Sequence, residues 1–226
     1  MTHAQEHRRS RRPGSIDSRL YANSPLSIPG CRLWFRADSL ALNDGDLISA
    51  WSDESGYGTN AVSAGVNRPT FKTNIVNGLP VVRCAGSHWL DHGALILANA
   101  TYFVVWSRTG AANNDYVLGT SGTIYSYLQY STSWYVYQSI FIAVAMAAGT
   151  FMLKCNRYNG VNYQRYTNGV AEASQAGAGG VNLRYIGAVV GACNGDIAEV
   201  IIYQTALTDA ERSIVDVYLR LKYALW

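Results

Sequence analysis

Hydrolysing a glycosidic bond takes two carboxylates flanking it, roughly 5–10 Å apart. The acidic residues of this sequence offer no obvious pair. Asp196 and Glu199 stand three apart in the run from Gly195 to Tyr203, and on a regular strand such residues face opposite ways. Asp53 and Glu54 are adjacent and diverge for the same reason. Asp44 and Asp46 share a face but flank Gly45 in a turn. The expectation is a chain without catalytic residues. Glu199, set in an otherwise apolar run, is expected to accept hydrogen bonds at the edge of the core, because a buried carboxylate must be partnered.

Cys84, His88 and His92 recur every four residues, which on a helix would line up three zinc ligands. Here Val81 and Val82 read as strand, and Gly86 and Ser87 as a turn. Extended residues four apart lie about 13 Å from each other, too far to share one ion. No zinc site and no cofactor are expected. Gly177, Gly179 and Gly180 lack the spacing of a phosphate loop, and no Ser sits in a nucleophile-elbow setting.

Aromatic residues give a better lead. Tyr125 and Tyr127 share a face by strand parity, as do Tyr135 and Tyr137 in the next run. Adjacent strands could join them into a platform for sugar rings or partner side chains. The alternative is that they fill the sandwich or its cross-strand pairs. A second candidate contact is basic: Arg8, Arg9, Arg11, Arg12 and Arg19 lie in the first 28 residues against Glu6 and Asp17. Residues 29–226 carry 13 basic and 13 acidic side chains, so the body is neutral and the basic character belongs to the arm. Without apolar periodicity, residues 1–28 read as an extended arm for attachment to a partner.

The elements that must position these residues are strands. The chain has 226 residues, 21 Gly, 16 Tyr and only 15% charged residues, a mixture suited to short strands with tight turns. Apolar runs recur at Arg32–Arg36, Leu47–Trp51, Pro80–Cys84, Tyr102–Trp106, Asp115–Leu118, Ile124–Tyr130, Trp134–Gln138, Phe151–Tyr158, Val161–Tyr166, Asn182–Val190 and Ile197–Tyr203. Asn168-Gly169 has the form of a two-residue hairpin turn. Thr208 and Glu211 have capping-box spacing, and Ala210, Ile214, Val217, Leu221 and Leu225 then mark one helical face. The run Ser139–Ala148 falls short of the ~20 residues that span a membrane. No secretory signal is read at the basic start, so synthesis in a cytoplasm is expected. The four cysteines, Cys31, Cys84, Cys155 and Cys193, have no paired spacing that fixes a disulfide.

Two stretches resemble the laminin-G-like, concanavalin-A-like lectin jelly rolls of phage virion and bacterial surface proteins. One is carried by Leu33-Trp34-Phe35-Arg36-Ala37-Asp38, Trp51-Ser52-Asp53 with Ser55-Gly56, Arg68-Pro69, Asn77-Gly78-Leu79-Pro80 and Val82 to Gly86. The other is carried by Tyr166 to Gly169, Gly195 to Tyr203 and Ala206 to Glu211. The resemblance implies an all-β fold, a two-sheet antiparallel jelly-roll sandwich over 29–207. An arm over 1–28 precedes it and a short C-terminal helix over 208–226 follows. Cys84 replaces the large aromatic expected in that motif, which implies local rearrangement of the core. The E-x-D-x-x-E run of the glucanase members is missing. Calcium, through Asp38, Asp53 or Asp91, stays open. The reading that follows is a non-catalytic virion structural or decoration protein. Its arm would engage other virion proteins or a second copy, and its head would bind protein or glycan. A carbohydrate-binding adhesion module of a bacterial surface protein is the alternative, and a glycosidase comes third. Neither nucleic acid nor membrane insertion is expected.

Overall fold

A computed structural model describes residues 24–109, 114–120, 125–130, 133–135, 142–143, 147–172, 174–177, 180–187 and 191–226, with backbone alone at 114, 125–130, 133–135 and 142–143. The strands follow in chain order. They begin with β1 (Cys31–Arg36), β2 (Ala50–Trp51), β3 (Ala61–Val62), β4 (Thr70–Val76), β5 (Leu79–Cys84) and β6 (Trp89–Leu97). The middle holds β7 (Ala100–Arg108), β8 (Asn114–Gly119), β9 (Tyr125–Tyr130), β10 (Ser133–Tyr135) and β11 (Ile142–Ala143). β12 (Met152–Tyr158), β13 (Asn162–Thr167), β14 (Val170–Ala171), β15 (Gln175–Ala176), β16 (Val181–Gly187) and β17 (Gly195–Tyr203) complete the set, and helix α1 (Asp209–Tyr223) closes the chain.

The first sheet runs β14-β13-β12-β7-β17-β5-β4, with β1 also on β17 and β15 on β13; the second runs β11-β10-β9-β8-β16-β6-β3-β2. Every pair of named strands is antiparallel. Leu33, Phe35, Trp51, Tyr102, Trp106, Leu183, Ile186, Val200 and Ile202 pack between the sheets. This is the two-sheet jelly-roll sandwich. The Asn168-Gly169 turn has φ of +50° and +77°, the positive pair that a type I′ hairpin requires.

β17 is the axis of the first sheet. Its β-branched run, Val200 to Ile202, suits a strand buried on both faces, and every residue from Gly195 to Tyr203 is buried. One edge pairs with β7 along its length. The other is shared: β5 takes Gly195 to Ile197, and β1 takes Glu199 to Tyr203. Where the partner changes, the β7 register slips between Ile197 and Glu199. The extra residue, Ala198, is a bulge that re-aims its neighbours.

Helix α1 packs on the outer face of this sheet. Both halves of its capping box form, Thr208 with Glu211. The buried stripe is Val215, Tyr218, Leu219, Lys222 and Tyr223, whereas Ala210 and Leu221 are exposed. The face expected from apolar spacing is therefore rotated, because the helix buries two tyrosines and an ion-paired lysine that a count of aliphatic residues passes over. The fold also begins earlier than residue 29. Ser24 caps a short turn over Pro25–Ser27, Ile28 is buried beneath α1, and Tyr203 donates its hydroxyl to the Pro25 carbonyl at 2.8 Å. Beside Cys84 the sheet is tightly packed: its register partner is Gly195, and the Trp106 ring lies 2.9 Å from where a Cβ on Gly195 would sit. No helix among the described residues is long and apolar enough to cross a membrane.

What fixes α1 to the sheet is ionic. Lys222 Nζ donates to Glu199 Oε2 at 2.7 Å and to Asp38 Oδ1 at 2.9 Å. Tyr223 donates to Glu199 Oε2 at 2.7 Å, and Trp34 Nε1 to Glu199 Oε1 at 2.6 Å. Glu199 is 1% exposed, so removing its cation strands a charge in the interior. Lys222→Met is expected to cost about 3–5 kcal/mol in urea denaturation. Adding Glu199→Gln to it should recover part of that loss, and a single variant as stable as the parent would contradict the assignment.

Candidate functional site

The bulge at Ala198 overturns the parity expected of Asp196 and Glu199. Asp196 pairs in register with Arg83, which alternates with the core residue Val82 and so lies on the outer face. Glu199 meets α1 on that same face. Both carboxylates are nevertheless occupied by the fold. Arg83 grips Asp196 with two bonds, of 2.6 and 2.7 Å, and Glu199 is sealed beneath α1 as described. Its place is the structural one expected of it.

Cys84 and His92 lie on β5 and β6 of different sheets. Cys84 contacts the Cys193 thiol, a contact that with burial pushes the Cys193 pKa well up. All four cysteines are unpaired and buried. His88 Nδ1 accepts from the Ala85 N–H at 3.2 Å. His92 points into the sandwich near Phe35, ring centroids 6.1 Å apart. Among the described residues no group of three or more His, Cys, Asp or Glu could hold a metal ion. The aspartates considered for calcium already have partners. Asp38 takes Lys222, and Asp53 accepts from the Trp34, Ser55 and Thr59 N–H groups at 2.9–3.1 Å, pinning the 53–59 loop to β1.

Arg8, Arg9, Arg11, Arg12, Arg19 and Tyr137 lie outside the described residues. β9 and β10 are neighbours, with Tyr135 registered against Leu128. The β8 register slips between Leu118 and Gly119, which places Tyr127 opposite Leu118 but Tyr125 opposite Gly119. The two fall in consecutive rows of the β8–β9 ladder. Tyr125 continues the row Asp91–Tyr185–Gly119, about 10 Å from Tyr185 across two strand spacings.

That row crosses the face of the second sheet turned away from the first, where no described helix packs. Leu90 and Ile186 enter the core, so their neighbours Trp89, Asp91 and Tyr185 face outward. Trp89 stands edge-on to Tyr185, centroids 5.4 Å apart at 76°. Arg184 lies over the Tyr185 ring, 5.1 Å from its centroid, and bonds Asp91 through Nη2 at 2.8 Å and Nε at 3.1 Å. Burial works against the Asp91 charge, but Arg184 and the Gly93 N–H together hold its pKa below the usual value. Val62 and Ile96 are 50% and 72% exposed and flank the group, Val62 as the register partner of Asp91. Beyond Ile96 opens a cavity of about 470 Å³ bounded by Leu97, Asn99, Tyr158, Gly160 and Gly180.

The sequence reading named Asp91 but not Trp89, Arg184 or Tyr185. A second bulge explains this. Leu183 pairs with Leu95 and Tyr185 with Asp91, leaving three residues of β6 opposite Arg184 alone. The irregularity hides β6 from any test of strict alternation, and it is what turns Arg184 onto Asp91.

No protein-family model and no curated protein sequence matches the chain. Solved structures do resemble it. The Trypanosoma rangeli sialidase in complex with sialic acid superposes with a TM-score of 0.55 at 12% identity, covering 88% of this chain and 34% of that one. The botulinum neurotoxin serotype D ligand binding domain in complex with N-acetylneuraminic acid gives 0.57 at 14% identity, covering 86% and 52%. The serotype D binding domain alone gives 0.58 at 15%, covering 83% and 51%. The chain thus spans a third to a half of those proteins, and the likeness establishes a lectin-like all-β sandwich.

The strand that presents Trp89 and Asp91 outward also buries His92. Among the described residues neither ring nitrogen has a hydrogen-bond partner, and burial lowers the pKa from 6.5 to about 4. Below pH ~6.5 the unfolded chain takes up a proton that the folded one refuses. Stability is therefore full above about 6.5 and falls as pH drops toward 4, by at most about 3 kcal/mol. His92→Phe should flatten that part of a stability–pH profile; an unchanged slope would contradict the assignment.

Proposed function

We propose that this chain is a non-catalytic carbohydrate-binding module that engages glycans through the open face of its second sheet. One observation carries the reading: Trp89, Arg184 and Asp91 come together around the buried ring of Tyr185 on the outer face of the second sheet, where the Arg184 side chain is 45% exposed. A sugar presents C–H faces and hydroxyl edges. An aromatic wall suits the first, and a charged, hydrogen-bonding pair held in place suits the second. Neighbours of the same fold are described in complex with sialic acid or N-acetylneuraminic acid, which supports glycan binding without identifying the ligand. The absence of catalysis is part of the proposal and rests on Asp196 and Glu199, both engaged in holding the first sheet together. Attachment to a virion through the arm would rest on residues 1–23, outside the described part, and has no observation of its own.

A glycan array followed by calorimetry tests the proposal. Trp89→Ala is expected to weaken binding roughly fivefold, in line with the ~1 kcal/mol of a well-placed aromatic contact, while the thermal transition stays cooperative. Binding unaffected by Trp89→Ala would move the site elsewhere. No binding to any glycan would remove the function.

A further inference from the structure

The chemical class of the sugar can be read from the donors and acceptors this face leaves open, a step that rests on the glycan-binding reading above. Asp91 has none to spare. Its Oδ1 accepts from the Gly93 N–H at 2.7 Å and from Arg184 Nε at 3.1 Å; its Oδ2 accepts from Arg184 Nη2 at 2.8 Å and Nε at 3.2 Å. A carboxylate has about four lone-pair sites, and these contacts fill them. Arg184 is the opposite case. Of its five N–H groups, the one on Nε and one on Nη2 serve Asp91. The second N–H of Nη2 and both of Nη1 have no partner among the described residues, on a side chain 45% exposed.

Those remaining donors form the outer edge of the guanidinium, a planar fork matching the two oxygens of a carboxylate. The fork is already held, by Asp91 at one edge and by the Tyr185 ring beneath, so little side-chain freedom is left to lose on binding. We propose that this face binds an acidic sugar, its carboxylate on the free edge of Arg184 and its ring against Trp89. Asp91 already offsets the charge of Arg184, so an anion is held here by the directed hydrogen bonds of the free fork, and Asp91 repels a doubly charged phosphate monoester more than a singly charged carboxylate.

Calorimetry on the full chain with three kinds of probe tests this. The probes are glucuronate- and N-acetylneuraminate-terminated oligosaccharides, the same sugars with the carboxylate converted to a primary amide, and a neutral oligosaccharide bearing one sulfate ester. The acids are expected to bind at least tenfold more tightly than their amides. Arg184→Gln should erase that difference, and Arg184→Lys should restore only part of it. Acid and amide binding equally well to the parent chain would overturn the acidic-sugar assignment and leave glycan binding standing, whether or not the variants fold. A sulfate ester binding as tightly as the acids would overturn the choice of carboxylate. Failure of every sugar to bind would overturn the underlying reading, and this inference with it.

Discussion

Glu199 is a full charge set in the axial strand of the first sheet, and much of the architecture follows from how it is neutralised. An unpaired carboxylate at that depth would be untenable. The chain answers with a lysine from α1, a tyrosine from the same helix and an indole N–H from β1. Asp38, just past β1, shares the lysine. Three segments far apart in sequence are thus tied at one point. Hydrophobic contact alone would let α1 slide on the sheet, because apolar burial has no direction; the ionic cluster sets one position for it. The helix is committed to the first sheet; among the described residues no helix packs on the outer face of the second, and the candidate site lies there.

Two irregularities do the aiming. The bulge at Ala198 puts Ala198 and Glu199 on the same side of β17, which brings the carboxylate under the helix. The larger one in β6, opposite Arg184, lays a guanidinium on Tyr185 and against Asp91. Each interrupts a ladder that is otherwise regular, and each places a charged residue where strict alternation would not. The clusters differ in burial: the first is closed and holds the fold, whereas the second is half open and retains donors without a partner among the described residues.

The fold was legible in the sequence because its strongest signals are local. The β-branched residues of β7 and β17, the Asn168-Gly169 turn and the Thr208–Glu211 cap each announce themselves within a few residues. The site was not legible, because it depends on cross-strand register. Nothing in the segment from Trp89 to Leu97 alternates cleanly, and nothing near Arg184 shows that Asp91, 93 residues earlier, will be its partner. Tyr125 falls in the backbone row of Asp91 and Tyr185 through a register slip that parity could not foresee. The helix face was misjudged by the same kind of rule, since Lys222 counts as polar in a pattern and lies buried in the fold.

The most direct measurement is a crystal structure of the chain grown with an oligosaccharide that it binds. The account predicts sugar density on the open face of the second sheet, with a ring in contact with Trp89 and oxygens within hydrogen-bonding distance of Arg184. Density seated between the sheets, or in the cavity beside Asn99 and Gly160 with Trp89 and Arg184 untouched, would contradict it.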